Sequence, residues 1–437
     1  MRTRLSRLVL ALVVALVACD AGDPPIPTTA PRPPAPEATS AFSVSGGRAW
    51  YLIGDALIPG DDQLAVVATG PDARVVDAWL DGQHVARAHD DAGFHLALEL
   101  QAVAPGEHHV LLAADGADTA FADLQFQRSH PMYVTVSNDW DTGDHADDKL
   151  ERQDRLHAGH PHLVLTHFVG PYTFTDPTVS AARAQLLVDW VTRYRDTKGD
   201  EIGLHIHPYC NFVTTAGVTC RTTPSYGYDA DVTGYTVRLG AYTQPELEQM
   251  LARAAELFVA HGLGRPTSFR AGGWTATGDV LAALETAGHV TEASGCNWAR
   301  LEEWSRTFGA TLFQWNRANW EPIGDTSQPY YPAVADILAD AAPHRTILEA
   351  PDNGLLVDYV TTAEMVEMFG KNFDGTALTA SRHYSIGYHP INFSEAFFRR
   401  IDDALTAIDA HLAAEDRGPV VYARMSDLPR AFPRPGS

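Results

Sequence analysis

The chain has 437 residues, a formal net charge of −23, and 45% hydrophobic and 20% charged residues. This length is too great for one average domain, so two are expected, and the composition is that of a globular protein. The sequence has no cluster of basic residues, and its negative charge argues against binding to nucleic acid and against electrostatic adhesion to anionic lipid.

The N-terminus has the features of an export signal. Three arginines within the first seven residues precede an apolar run at residues 8–18. The run is far shorter than the roughly 20 residues that span a bilayer, which predicts a cleaved signal peptide over residues 1–18. Its end, Leu16-Val17-Ala18-Cys19, resembles the lipobox of bacterial lipoproteins. That resemblance implies lipidation of Cys19 and a lipid-anchored location in the bacterial cell envelope, facing the periplasm or the cell exterior; an ordinary cleaved signal is the alternative.

The next two segments are predicted to be a linker and a β-domain. Residues 19–40 are rich in Pro, Ala and Thr, a composition that cannot bury a core and predicts an extended spacer. Residues 41–129 then contain short β-prone runs, at 64–69, 74–80, 84–88, 94–99 and 108–113. Asp81-Gly82 between two of these runs is a hairpin signal. The spacing predicts a small β-sandwich that resembles Ig-like modules, with a spacer or accessory role; carbohydrate binding is the alternative.

Residues 131–437 have a different sequence pattern, in which short apolar runs alternate with helical stretches. The predicted strands cover residues 133–138, 163–168, 201–207, 267–271, 289–292, 346–350, 384–389 and 420–423. Helical periodicity is present at 183–195 and 244–261. Strand–helix alternation predicts a parallel sheet, either closed or open.

Three cysteines lie in this part of the chain. Cys210 and Cys220 flank a short polar loop and could form a disulfide, which an exported protein can keep. Cys296 is expected to be a buried free thiol. No CxxC pair exists, so a cysteine-based zinc site is not expected.

Side chains that carry chemistry follow several of the predicted strands, at the ends where β/α barrels place their active sites. The strand ends in question read Val136-Ser137-Asn138-Asp139-Trp140-Asp141, His205-Ile206-His207-Pro208, Arg270-Ala271-Gly272-Gly273-Trp274 and Tyr388-His389-Pro390. Alternate residues of a strand share a face, so His205 and His207 can both reach one ion, and Asp141 can add an oxygen ligand. Two histidines and one aspartate with one position left open are the ligands of a catalytic zinc site. Each motif taken alone also has a structural interpretation, as a core histidine pair, a turn or an ion pair.

The four motifs in this order resemble the polysaccharide deacetylase family (the NodB-homology domain, carbohydrate esterase family 4), over about residues 132–428. The family implies a distorted (β/α) barrel of NodB type. Its first motif implies that Asp139 is the catalytic base and Asp141 a metal ligand. Its second motif implies that His205 and His207 complete the metal site. The resemblance also covers 165–169, which looks like the family's second strand.

The third and last motifs complete the set of implied site residues. The third implies a catalytic Arg270, followed by a glycine-containing turn in which Gly273 and Trp274 contact substrate. The last implies that His389 is the general acid. With a divalent ion, zinc by expectation, these residues imply removal of acetyl groups from N- or O-acetylated glycans outside the cytoplasm.

Several features depart from the family pattern. The histidine pair is spaced HxH rather than HxxxH, so His167 or His383 could replace the second ligand. The third motif lacks its usual proline, and residues 297–328 match no motif of the family. Four further histidines lie in a polar connection and are expected at the surface: His145, His157, His160 and His162.

Two other classes of function fit parts of the sequence. A glycoside hydrolase would pair Asp139 or Asp141 with another carboxylate such as Glu349, needs no metal, and leaves both histidines unexplained. A catalytically silent, glycan-binding surface lipoprotein is the second alternative. Metal content separates the first from a deacetylase, and acetate release separates the second.

Overall fold

The computed structural model describes residues 34–36, 42–70, 73, 75–89, 93–222, 226–308 and 311–436. The predicted signal peptide, Cys19 and most of the predicted linker lie outside these residues, so lipidation and export remain predictions. Among the described residues, no helix combines the length and apolarity needed to cross a membrane.

The chain divides into two compact units. The first comprises Met1–Val44, Val67–Leu96 and Val110–Asp123, and the second comprises Ser45–Val66, Ala97–His109 and Leu124–Ser437. The predicted domain boundaries at residues 129 and 131, and the Ig-like relationship of residues 41–129, remain predictions.

The N-terminal region is built from strands, as predicted. They are β1 (Ala35–Pro36), β2 (Ser43–Gly46), β3 (Trp50–Leu52), β4 (Gln63–Thr69), β5 (Val75–Leu80), β6 (Gln83–His89), β7 (Phe94–Glu99), β8 (Gly106–Ala114), β9 (Thr119–Ala120) and β10 (Ala122–Ser129). The first unit contains the predicted hairpin: β5 and β6 pair antiparallel, and the turn residues Asp81 and Gly82 have φ of 48° and 81°. Both angles are positive, as a two-residue type I′ turn requires. In the same unit, β1 pairs in parallel with β9, so part of the predicted linker is a strand.

The second unit contains a parallel sheet. Its strands are β11 (Met132–Asp139), β12 (Leu165–Val169), β13 (Glu201–Ile206), β14 (Ser268–Ala271), β15 (Thr291–Glu292), β16 (Leu348–Glu349), β17 (Arg382–Tyr388) and β18 (Val420–Tyr422). The strand order is β16-β15-β14-β13-β12-β11-β17, and β18 lies beside the first half of β11. The residues of β11, β12 and β13 are buried on both faces, which explains their continuous rather than alternating hydrophobic runs.

Helices alternate with these strands. They are α1 (Asp147–Gly159), α2 (Ala181–Lys198), α3 (Cys210–Val213), α4 (Gln244–Ala260), α5 (Gly278–Ala287), α6 (Trp298–Phe308), α7 (Leu312–Trp320), α8 (Thr362–Asn372), α9 (Glu395–Asp409) and α10 (Leu428–Ala431). The two helices predicted from periodicity are present as α2 and α4. Their starts follow local chemistry: the Ser180 hydroxyl accepts from the Arg183 amide, and Thr243 and Glu246 form a capping box.

An irregular segment at residues 352–357, called here the closing segment, joins the two edges of the sheet. The Asp352 amide donates to the Gly295 carbonyl, just beyond β15. Further along, the Gly354 amide donates to Ser385 and the Val357 amide to Gly387, both in β17. The sheet is therefore closed by a segment that is not a regular strand. The prediction of a distorted (β/α) barrel is confirmed.

Candidate active site

The carboxyl end of β11 provides the two aspartates of the first motif. Ser137 and Asp139 are two residues apart, so they point to the same face of the strand, toward the inside of the barrel. Arg270 from β14 meets both, and its Nη1 donates to Ser137 Oγ at 2.8 Å and to Asp139 Oδ1 at 3.0 Å. Arg270 thereby fixes the position of the Asp139 carboxylate, and only 3% of Asp139 is exposed.

The two histidines of the HxH motif turn the same ring nitrogen toward Asp141. His205 Nδ1 donates to the Arg270 carbonyl at 2.9 Å, and His207 Nδ1 donates to the Tyr235 carbonyl at 2.8 Å. In its neutral form each ring therefore carries the proton on Nδ1 and its lone pair on Nε2. The two Nε2 atoms lie 3.1 Å and 3.4 Å from Asp141 Oδ1.

These three side chains fit a divalent metal ion. One ligand atom from each residue lies within 4.8 Å of the other two. Metal–ligand bonds of about 2.0–2.1 Å in a tetrahedral site separate neighbouring ligand atoms by about 3.3 Å, close to the spacings seen here. The backbone carbonyls that hold the two Nδ1–H groups are the orienting partners expected behind ligand histidines.

The Asp141 carboxylate faces three imidazoles, which attract it when they are protonated, and one tyrosine hydroxyl. Burial alone raises its pKa, but the imidazoles of His389, His207 and His205 outweigh burial, and the pKa lies well below its usual range. The Tyr235 hydroxyl also donates to Asp141 Oδ2 at 2.8 Å. Asp141 is thus kept ionised, which is the form that binds a metal.

Arg270 is fully buried and supports the site from outside the cavity. Its Nε donates to the Ala293 carbonyl at 2.8 Å, and its Nη2 lies 3.7 Å from Asp352 Oδ1. Arg270 does not line the cavity described below, whereas Asp139 does. Its geometry is that of a residue that positions Asp139 rather than one that contacts substrate.

His389 follows β17 and faces Asp141 from the other side. Its Nδ1 lies 2.9 Å from Asp358 Oδ2, and its Nε2 lies 3.7 Å from Asp141 Oδ2. Burial lowers the pKa of His389, but Asp141 and Asp358 outweigh this and raise it to about 10. The ring therefore holds a proton on the side that faces the cavity.

The turn after β14 brings backbone close to the ligand histidine. A Cβ at Gly272 would lie 2.5 Å from His207 Cγ, so only glycine fits there. The next two residues, Gly273 and Trp274, have φ of 59° and 55°, which makes the turn tight. Trp274 Nε1 donates to Asp352 Oδ2 at 3.1 Å, which fixes the indole beside the site.

The predicted residues meet in one cavity of about 170 Å³. Its lining includes Asp139, Asp141, His205, His207, Gly273, Trp274 and His389, together with residues that the sequence did not single out: Tyr228, Asp229, Tyr235, Thr236, Ala271, Leu312 and Tyr359. Asp352 and Asp358 were missed as well, although Asp352 follows a predicted strand and the strand-end rule could have found it. The tyrosines lie in loops, where no periodic signal marks them.

The residues proposed as alternative metal ligands, or as a second catalytic carboxylate, lie outside the cavity. His167 Nε2 contacts Asp200 at 2.9 Å, and His383 Nε2 contacts Thr135 Oγ1 at 2.8 Å, so neither replaces a ligand at the site. Glu349 accepts from the Gly295 amide at 2.8 Å and does not line the cavity. Among the described residues, no observation pairs it with Asp139 or Asp141.

Three of the four histidines expected at the surface are buried. His145, His157 and His160 are 0%, 2% and 4% exposed, so that expectation is wrong. His157 bonds Asp200 at 2.7 Å, and His160 lies between Asp402 and Asp409 at 3.2 Å and 2.6 Å. The acidic partners of His157 and His160 are distant in sequence, so no sequence pattern indicated their burial. His145 packs against Trp140 with ring centroids 4.6 Å apart.

The cysteines of the barrel unit lie beside the site rather than in it. Cys210 and Cys220 are joined in a disulfide with a Cα–Cα distance of 5.1 Å, and Cys296 is a buried free thiol. The disulfide closes the loop that follows His207.

Comparisons with known proteins return structures only. No protein-family model matches the chain, and no curated protein matches it. A Mycobacterium smegmatis protein assigned as a polysaccharide deacetylase is similar at 14% identity and a TM-score of 0.41, over 68% of this chain and 88% of that chain. A family 4 carbohydrate esterase from Streptomyces lividans, in complex with acetate, is similar at 9% identity and a TM-score of 0.34, over 69% and 95% of the two chains. A 4-alpha-glucanotransferase from Thermococcus litoralis is similar at 10% identity and a TM-score of 0.38, over 68% and 40%.

The family that the motifs resemble is therefore represented among the similar structures.

Proposed function

We propose that this chain is a metal-dependent hydrolase that removes acetyl groups from N- or O-acetylated glycans outside the cytoplasm. One observation carries the proposal: Asp141, His205 and His207 converge in a cavity that also receives Asp139 and His389. Three metal ligands, a carboxylate and a protonated imidazole are the parts that acyl hydrolysis requires.

Asp141, His205 and His207 would hold the ion, which we propose to be zinc. Bound there, the ion would supply Lewis acidity toward water and toward the acyl oxygen. Asp139 takes the proton of the attacking water, and the Arg270 guanidinium holds its carboxylate in place at 3.0 Å. The water oxygen forms a bond to the acyl carbon, which is the step that a general base assists.

His389 completes the reaction from the opposite side. The bond from the acyl carbon to the glycan nitrogen or oxygen breaks, and the departing atom takes the proton of His389. Asp358, 2.9 Å from Nδ1, orients the ring and stabilises its charged form. The products are acetate and a free amine or hydroxyl.

Metal content and acetate release together test this proposal. The purified chain is expected to hold about one equivalent of divalent metal and to release acetate from a panel of N- and O-acetylated glycans. Removal of the metal with a chelator should abolish release, and readdition should restore it. A matched variant, Asp403→Asn, changes an exposed aspartate of α9 and should behave as wild type.

Other outcomes would contradict the proposal in different ways. A chain that binds these glycans without releasing acetate would be a binding protein. Release of new reducing ends without metal would instead indicate a glycoside hydrolase.

We also propose that the protein is anchored in the cell envelope through Cys19, a residue outside the described part of the chain. Its support is the sequence Leu16-Val17-Ala18-Cys19 after an apolar run. Cys19→Ser should move the protein from the membrane fraction to the soluble fraction. A variant that stays membrane-bound would overturn the anchor.

A further inference from the structure

We infer that the site accepts an uncharged acylated sugar at the end of a glycan, and not residues within a continuing chain. This inference rests on the proposed function and deepens it. It is carried by a hairpin and a helix start that wall the cavity and by the charge of the lining.

The first wall is a short hairpin at residues 226–238. Gly227 and Val237 form an antiparallel bridge, and the Tyr228 amide donates to the Thr236 carbonyl at 3.0 Å. The hairpin brings Tyr228 and Tyr235 into the cavity lining. The Tyr235 ring stacks on His207 with centroids 4.3 Å apart, so the hairpin is seated directly on the metal ligands.

The second wall is the start of α7, in the region that matches no motif of the family. Asn316 Nδ2 donates to the Gly273 carbonyl at 3.1 Å, and Trp320 Nε1 donates to the Trp274 carbonyl at 2.8 Å. These bonds tie α7 to the turn that forms the cavity floor. Leu312, the first residue of the helix, consequently faces the cavity.

The two walls are joined to each other. Thr311 Oγ1 donates to the Tyr228 carbonyl. Both walls reach over Gly273: a Cβ there would lie 3.1 Å from the Tyr228 ring and 3.2 Å from Leu312 Cδ1. One side of the cavity is thus covered by a continuous wall, whereas a glycan that continues past the acylated residue in both directions needs two open sides.

An aromatic group forms the wall near His389. The Tyr359 ring packs at 5.4 Å against Trp274 and at 4.9 Å against Trp304, both edge to face. Packing of this kind fixes Tyr359 in the lining. The entrance is therefore bounded by rigid rings on this side as well.

The enclosed space is small. The cavity measures about 170 Å³, whereas sites for drug-sized ligands measure about 300–1,000 Å³. Space of this size holds an acetyl group and part of the ring that carries it. The remaining sugars of an oligomer must extend from the mouth in one direction.

The charged residues of the cavity lining restrict the class of substrate further. Among the described residues that line the cavity there is no Lys or Arg, while Asp139, Asp141 and Asp229 contribute carboxylates. These carboxylates balance the proposed divalent ion, and His389 is paired with Asp358, so no unpaired cation of the described lining remains for a sugar carboxylate or phosphate. Uncharged acylated sugars are the class that fits.

The position and number of acetates released test the inference. Fully N-acetylated glucosamine oligomers of increasing length, and O-acetylated xylose oligomers, are incubated with the metal-loaded full chain. Mass spectrometry then locates each free amine or hydroxyl. The expected result is one acetate per chain, released from one end, with a rate per chain that does not grow with length.

Two variants test whether the walls cause the restriction to terminal sugars. Leu312→Ala and Tyr228→Ala should each raise the ratio of internal to terminal release severalfold, while Val259→Ala, on the exposed face of α4, should not. Thermal unfolding and metal content verify that the variants fold and load. The two walls are tested by separate variants, so if one variant misfolds, the other still tests the inference.

The outcomes separate this inference from the proposed function. Several acetates per chain, or internal release by wild type, would overturn the inference and leave the deacetylase intact. Terminal release that neither wall variant alters would overturn the role of the walls. No acetate from any substrate by the metal-loaded chain would overturn the proposed function, and this inference with it.

Discussion

Two clusters in the barrel unit have the same composition, two buried histidines and one aspartate, but opposite proton arrangements. In the cavity, backbone carbonyls take the Nδ1 protons of His205 and His207. The Nε2 lone pairs therefore face Asp141, and the three side chains can hold a cation. The second cluster consists of His157, His167 and Asp200.

The second cluster is fixed by an amide network. Trp140 Nε1 donates to Asn138 Oδ1 at 2.9 Å, so the amide nitrogen of Asn138 faces His167 Nδ1, also at 2.9 Å. His167 Nδ1 must then accept, which leaves the proton on Nε2, where it is donated to Asp200. A ring that donates to the carboxylate has no lone pair for a metal beside it.

The comparison shows that ligand composition does not define a metal site. The groups bonded to the second nitrogen of each ring decide whether the first can bind an ion. The Asp200 cluster instead has a structural role, because Asp200 Oδ1 also accepts from the Leu165 amide at 3.1 Å, at the start of β12. It fastens α1, which carries His157, to the sheet.

The largest expected effect is loss of the metal from the cavity cluster. Asp141→Asn removes an anionic ligand from a three-ligand site, so metal affinity and activity should fall together. Elemental analysis of the purified variant should give far less than one equivalent, with acetate release near background. Full metal content in this variant would mean that the ion is held elsewhere.

Removal of the base should separate metal binding from turnover. Asp139→Asn keeps the shape of the side chain and its contact with Arg270 but removes most of its basicity. The metal should stay bound, and acetate release should slow by about 10²–10⁴-fold. If Asp139→Asn is the variant that loses metal, the two aspartates have exchanged roles.

The Asp200 cluster should respond in stability and not in metal content. Asp200→Asn places an amide against imidazole N–H donors, and each donor left without an acceptor costs about 1–3 kcal/mol. The free energy of unfolding from denaturant titration should fall by an amount of this order, while the metal-to-chain ratio remains that of wild type. A drop in metal content in the folded variant would make this cluster a second ion site.

The smallest expected effect is a dependence of the free energy of unfolding on pH under acidic conditions. Burial raises the pKa of Asp200, but hydrogen bonds from His157 and His167 outweigh it, so the pKa in the folded chain lies below its usual range. Such a group contributes stability that is complete above the unfolded pKa of about 3.9 and is lost as the pH falls through the folded value. Below about pH 4, wild type should therefore lose up to about 1.4 kcal/mol per pH unit more than Asp200→Asn. Parallel curves for the two proteins would show that Asp200 titrates alike in both states.

The barrel strands were predictable because each is a short apolar run buried on both faces. The strand predicted at 201–207 is found at Glu201–Ile206, and that predicted at 384–389 is found at Arg382–Tyr388. The placement of Asp139, Asp141, His205 and His207 followed from the same signal, since parallel strands bring their carboxyl ends to one edge.

Partners that lie outside regular elements could not be predicted in this way. Asp358 and Tyr235 reach His389 and Asp141 from irregular segments, where no period relates sequence to direction. The burial of His157 depends on an aspartate 43 residues away. Propensity acts locally, whereas these contacts depend on how distant parts of the chain meet.

The closing segment has a consequence for how the enzyme would lose activity. Asp352 lies 3.7 Å from Arg270, and Asp358, one residue beyond the segment, lies 2.9 Å from His389. The closing segment and the residue after it therefore carry the counter-charges of the base-positioning arginine and of the acid. The segment is buried and its amides bond to β17 and to Gly295, so it should open only together with the barrel, and hydrogen exchange should find its amides among the slowest. Proton transfer and metal binding therefore depend on one cooperative unit, and heat or denaturant should remove activity and the bound ion over the same range.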